Sequence, residues 1–357
     1  MNFKGISYYL SLFCFPISIL AFVNILYSSY FDYFLSIYSY LVTLIFSLLT
    51  GSSLLLIGKK SEKKINFIEQ LLLIILVYLL ISIFISLPFY LSNYQVTFLN
   101  SLFESISGLT GTGFSIFSNI KYLDPTLILW RSSSQWIGGL YFLFFLIFVF
   151  SNKQFRYKMN DLTYSGDGRT KSETNIKEFL SRIFILYSVL SFIIFLLLNI
   201  SEVRMFNSLN LSMSLISAGG FIPTDSLNKI IRSNPQKLVF ILSLLISMLN
   251  FFFILNIFKT KVIIREHKED LYLIVLSIVF ILLVYLNDYN GLNIILSVLS
   301  SLSNSGLSLI NSNNNLSLYF ILITIIGGSL ISNTSGIKFT RIYVLLKTAS
   351  SEIIKLI

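Results

Sequence analysis

Three short stretches of small residues stand where chemistry could occur: Thr110-Gly111-Thr112-Gly113, Ser217-Ala218-Gly219-Gly220 and Ser303-Asn304-Ser305-Gly306. Each closes a half-apolar run, and each is followed by an apolar residue, Phe114, Phe221 or Leu307. What such stretches offer is main chain. Glycine permits the positive φ that swings a carbonyl to one side, and small side chains let several segments approach one axis. A short helix that points its C-terminal end at the same place adds a partial charge of about −0.5 e. Together these let rings of carbonyls replace the hydration shell of a cation. Taken singly, each stretch reads as a turn or a helix-packing contact; recurrence at three equivalent places argues for one shared site.

The elements that must carry these stretches are membrane helices. Of the 357 residues, 55% are hydrophobic and 12% charged, with a mean hydropathy of +0.81. Soluble domains average about 25% charged residues, so the chain reads as an all-α polytopic membrane protein. Apolar runs long enough to span lie at about 7–28, 33–57, 66–92, 126–151, 177–200, 236–258, 268–287 and 316–348. The first reads as a retained membrane helix, not a cleaved signal peptide. Lys and Arg concentrate in alternate breaks, at 59–64, 153–176 and 259–268. The positive-inside rule puts those breaks and the N-terminus in the cytoplasm. The three small-residue stretches then fall on the outer side. The helical pattern before the first, within LFESISGLTGTG, covers about 12 residues, or ~18 Å, against a hydrocarbon core of ~30 Å. A short helix with both ends on one side is re-entrant, and irregular backbone at membrane depth must line a cavity or be buried in protein.

Other classes are excluded by what is missing. The net charge of +10 is spread over short loops and forms no basic face for nucleic acid. One cysteine, Cys14, allows no internal disulfide, and one histidine, His267, cannot build a zinc site. A membrane enzyme would need convergent acids, bases or nucleophiles, so the chain reads as no enzyme and as binding no cofactor. Glu104 and Asp225 read as capping or pairing residues at the outer surface.

The last apolar run is interrupted. Gly327, Gly328 and Ser329, then Ser332, Asn333, Thr334, Ser335 and Gly336, break it before Lys338 and Arg341. These are poor helix formers. A charge at mid-membrane costs about 2.5–3.5 kcal/mol on insertion scales, so Lys338 is expected to face a watery cavity or a carboxylate. On the alternative, the span ends near residue 331, with Lys338 and Arg341 in the cytoplasm.

ISLPFYLSNYQVTFLNSLFESISGLTGTGFS at 85–115 resembles the first pore unit of the Trk/Ktr/HKT family of potassium transporters, most closely its TrkH type. WRSSSQWIGGL at 130–140 is similar to the start of that family's next helix, SAGGF and SNSGL to its second and third filters, and GGSLISNTSGIKFTRIYVLLK to its glycine-rich gate. The resemblance implies helix–pore loop–helix units at 59–158, 159–262 and 263–357 behind an N-terminal helix pair at 1–58. It implies a potassium selectivity filter formed by the three stretches, with potassium as cargo, and a gate loop spanning Gly327 to Arg341. It also implies a homodimer in lipid, a cytosolic nucleotide-binding RCK (TrkA-like) partner, and a bacterial inner membrane. The family has four pore units and this sequence shows three. The expectation is either a separate polypeptide carrying the fourth, a different stoichiometry, or a non-conducting remnant.

Overall fold

The computed structural model describes residues 1–61, 65–150, 176–257, 268–285, 291–307, 309 and 317–356. The basic breaks expected inside, with His267, lie largely outside these residues. The described residues fold as helices α1 (Phe3–Tyr30), α2 (Phe34–Gly58), α3 (Phe67–Tyr90), α4 (Phe98–Leu109), α5 (Pro125–Phe150), α6 (Ile176–Ile200), α7 (Met205–Ile216), α8 (Asn234–Met248), α9 (Phe251–Ile257), α10 (Lys268–Tyr285), α11 (Gly291–Ser303), α12 (Ser317–Ile326) and α13 (Phe339–Leu356). Among the described residues, five stretches are long and apolar enough to cross a membrane: 3–30, 37–58, 67–90, 125–149 and 180–200.

Helix starts follow local chemistry. Asn2 caps α1 by accepting from the Gly5 amide at 2.9 Å. Asn66 and Glu69 form a capping box at the start of α3. The other Glu69 oxygen accepts from the Asn2 amide at 2.6 Å, which ties the two helix starts together. Long helices present Ile75, Leu79, Phe192 and Ile193 outward, as a lipid-facing surface requires. The interior, by contrast, is rich in serine: Ser105, Ser208, Ser214, Ser247, Ser297 and Ser300 are all buried. The hydroxyls of Ser105, Ser208, Ser247 and Ser297 bond back to a carbonyl three or four residues earlier, so they need no water.

Helices α4, α7 and α11, of 12, 12 and 13 residues, are the ones that run into the three small-residue stretches. Each packs beside the long helix before it: α4 on α3, α7 on α6, α11 on α10. Two of the eight runs are not single helices. The last is interrupted as expected, between Ile326 and Phe339. The run at 236–258 is interrupted too, which corrects the reading of one continuous span. It stops at Met248 and restarts at Phe251, with Asn250 Oδ1 accepting from the Phe252 amide at 2.9 Å. No Pro or Gly marks this break; its cause is tertiary, as described next.

Candidate functional site

All three short helices end in the same way. The amides of Thr112, Gly219 and Ser305 reach back to the carbonyls of Ser107, Ser214 and Ser300 at 3.0, 2.8 and 3.1 Å. One residue earlier, Gly111, Ala218 and Asn304 donate to Gly108, Leu215 and Ser301, each at 3.1 Å. This left-handed turn satisfies the orphan carbonyls of a helix end. The second residue of each stretch has positive φ: +70° at Gly111, +53° at Ala218 and +58° at Asn304. Gly113 and Gly306 also have positive φ, at +80° and +67°.

A serine three residues before each stretch was not singled out by sequence reasoning, although the repeat was there to read: SGLTGTG, SLISAGG, SSLSNSG. Ser107 Oγ donates to the Phe114 carbonyl at 2.5 Å, and Ser214 Oγ to the Gly219 carbonyl at 3.1 Å. Ser300 and Ser305 share a hydroxyl contact of 3.1 Å. These serines fix which way the turn's carbonyls point. Ser214→Ala is expected to lower stability by about 1 kcal/mol, the usual worth of one hydrogen bond. Thermal unfolding of the purified protein checks this; an unchanged midpoint would remove Ser214 from the bracing.

The turns also meet. A Cβ on Gly113 would lie 2.7 Å from the Gly220 Cα, and one on Gly220 would lie 2.9 Å from the Ser305 carbonyl oxygen. Turns carried by three separate short helices thus pack main chain to main chain. On the remaining side, a Cβ added at Gly306 would meet nothing within 4 Å among the described residues.

Helix α5 holds the first two turns from behind. A Cβ on Gly138 would sit 2.0 Å from the Leu109 carbonyl oxygen, and one on Gly139 2.8 Å from Ser217 Cβ. Gln135 Oε1 accepts from the Phe221 amide at 3.2 Å. Arg131 Nε donates to Glu104 Oε1 at 2.7 Å, with both side chains buried. Glu104 also accepts from Ser115 Oγ at 3.0 Å and the Ile116 amide at 2.9 Å, and the Arg131 guanidinium lies 4.2 Å over the Phe221 ring. Glu104 is therefore a pairing residue, as expected, but in the interior and not at the outer surface. Asp225 pairs with Lys229 at 2.7 Å and accepts from the Lys121 amide at 3.1 Å. Those two donors, Lys229 first, hold its carboxyl below the ordinary value.

The interrupted last run forms a loop, 327–338, with positive φ at Gly327, Gly336 and Lys338. It docks on the α8–α9 break. The Ser329 amide donates to the Met248 carbonyl at 3.0 Å, and the Phe251 amide to the Ile331 carbonyl at 2.9 Å. Two carboxylates at the start of α10 hold both sides. Glu269 accepts from the Leu330 amide at 2.9 Å and from the Thr340 hydroxyl, while Asp270 accepts from the Asn250 amide at 2.9 Å. Asn333 Nδ2 donates to the Ile216 carbonyl at 2.8 Å, which places the loop against the end of α7 beside the second turn.

Lys338 lies inside the loop's own turn. Its ammonium is buried, and the Glu269 carboxylate acts on it through space without a hydrogen bond between them. It donates to Ser332 O at 3.1 Å, Ser332 Oγ at 3.2 Å, Thr334 Oγ1 at 3.1 Å and the Thr334 carbonyl. The loop's own turn brings these oxygens closer than any acid. Ser332 and Thr334 are buried, whereas Ser335, Gly336 and Arg341 are exposed. Only Arg341 therefore fits the alternative in which both cations lie beyond the span. Among the described residues no group of three or more His, Cys, Asp or Glu could hold a metal ion.

Long apolar helices, short helices ending in glycine turns, and a broken helix beside them define a polytopic membrane protein of pore-loop units. In sequence and in fold the chain is similar to TrkH-type proteins of the Trk family. It is 28% identical over 289 residues to an uncharacterized cation transporter of Methanocaldococcus jannaschii, covering 79% of this chain and 59% of that protein. It is 23% identical over 334 residues to the Trk system potassium uptake protein TrkH of Halomonas elongata, covering 86% of this chain and 67% of that protein. Its fold matches the crystal structure of the potassium transporter TrkH from Vibrio parahaemolyticus with a TM-score of 0.86 at 19% identity, over 100% of this chain and 77% of that one. No protein-family profile matches the chain. These relatives carry the names of transporters, not of enzymes.

Proposed function

We propose that the chain is a pore subunit for potassium uptake across a cytoplasmic membrane. The observation that carries this reading is the meeting of the three turns at Gly113, Gly220 and Ser305. Three short helices aim their C-terminal ends at that place, where an electropositive cargo is favoured. On this reading the filter is Thr110 to Gly113, Ser217 to Gly220 and Ser303 to Gly306, in units bounded at 59–158, 159–262 and 263–357. The stretch from Gly327 to Arg341 is the gate. The N-terminus faces the cytoplasm, and potassium is cargo, moved without covalent chemistry.

The open space beside Gly306 among the described residues supports a further element of this reading. A fourth pore unit, from residues outside those described or from a separate polypeptide, closes the ring. A homodimer and a cytosolic RCK-type regulatory subunit complete the assembly, by analogy with the family.

The test is growth of a potassium-uptake-deficient cell at low external potassium, with the chain and its candidate fourth unit both present in the membrane. Rescue is expected; no rescue with both products inserted overturns the reading. In a conducting assembly, Gly113→Ser is expected to lower the preference for potassium over sodium. Unchanged selectivity removes Gly113 from the filter.

A further inference from the structure

We infer that the oxygens of Ser332 and Thr334 form a binding site for a dehydrated monovalent cation, and that the Lys338 ammonium is its tethered occupant in this conformation. This rests on the pore reading for its place on the ion path, but not for the chemistry of the site. Four oxygens, two carbonyl and two hydroxyl, surround Nζ, three of them at 3.1–3.2 Å. An ammonium has three N–H donors. The cage therefore offers more acceptors than the lysine can use linearly, a poor match to a directional donor and a good one to a spherical ion. Carbonyl and hydroxyl oxygens are also the donor type that takes up an ion shed of its water.

The lysine is made to reach this cage. Its φ of +76° is a conformation that bulky L-residues rarely adopt. The Arg341 amide, donating to its carbonyl at 3.1 Å, and the Phe339 amide, donating to the Gly328 carbonyl at 3.2 Å, hold it there. The Phe142 ring, 5.8 Å from Nζ, closes another side of the same pocket and favours a positive occupant. Asn333, between the two ligand residues, holds the Ile216 carbonyl, so the cage adjoins the second turn. A cation leaving the turns meets a site already filled by one of the protein's own. Lys338 thus acts as an occupant that the cargo ion must displace, and its departure frees a site of matching chemistry.

The experiment is equilibrium binding of rubidium to the purified chain. Lys338→Met is expected to bind one more rubidium per chain than the unaltered protein, and adding Ser332→Ala and Thr334→Val, which strips the two hydroxyls from the cage, weakens that ion's binding at least tenfold. A folded Lys338→Met protein with unchanged stoichiometry overturns the inference, as does an extra ion held just as tightly after loss of the two hydroxyl oxygens. Should Lys338→Met fail to fold, the unaltered chain is read by amine labelling. Rising rubidium is expected to expose Lys338 to the reagent; constant protection overturns the proposal. Gly113→Ser is expected to weaken rubidium binding at the turns without touching the extra ion. A retained extra ion in a protein that carries no flux overturns the pore reading alone.

Discussion

Glu104→Ala is expected to destabilise the protein by about 3–5 kcal/mol, because it leaves the Arg131 cation buried without its partner. Both side chains are shielded from solvent, and Nη1 of Arg131 already lacks a hydrogen-bond acceptor among the described residues. The loss should exceed that of any single hydrogen bond, since Glu104 also anchors Ser115 and Ile116 just after the first turn. The informative companion is the double variant. Replacing a buried pair by apolar residues is often neutral, so Glu104→Leu with Arg131→Met should recover much of what Glu104→Ala loses. Thermal unfolding in detergent reads both. Equal damage in the single and double variants would mean that the ion pair itself is not what holds the turn, and that the hydrogen bonds to Ser115 and Ile116 are.

Gly138→Ala should be nearly as damaging, through shape instead of charge. The added methyl would have to occupy space 2.0 Å from the Leu109 carbonyl oxygen and 2.7 Å from its carbon. Neither atom belongs to a flexible side chain, so α4 and α5 must separate. Overpacking of this kind costs about 1–3 kcal/mol, and occasionally more. The displaced element is the end of α4, so the first turn moves with it and rubidium flux should fall along with stability. Gly291→Ala is the control, since nothing lies within 4 Å of its added carbon. If Gly138→Ala unfolds and conducts like Gly291→Ala, the close approach of the two helices is unimportant.

The short helices and their turns were legible in the sequence because each ends in small polar residues after an apolar run too short to span. The interruption after Ile326 was legible for the same reason, through Gly327, Gly328 and Gly336. The break at Leu249–Asn250 was not. LISMLNFFFIL offers a single asparagine, and the helix is opened by the Ile331 carbonyl and the Asp270 carboxylate, which lie far along the chain. The same distance hid Glu104 with Arg131, 27 residues apart, and Glu269 with Leu330, 61 apart. Local pattern records where a helix cannot continue; it does not record which distant group will take up the freed amides. Lys338 shows the converse. Its burial was foreseeable from its place in an apolar run, but its partners came from a turn whose geometry only the fold supplies.

The docking of Ser329 to Ile331 on the α8–α9 break has a consequence for biogenesis. The Phe251 amide is satisfied by a residue synthesised 80 positions later. In a bilayer an unsatisfied main-chain group costs several kcal/mol, so the early chain has reason to insert 236–257 as one unbroken helix. The kink then arises only after the last broken helix arrives and exchanges partners with it. Maturation of the pore is accordingly a late remodelling step between neighbours already in the membrane, and a ribosome-bound chain arrested before residue 329 should still carry the straight form.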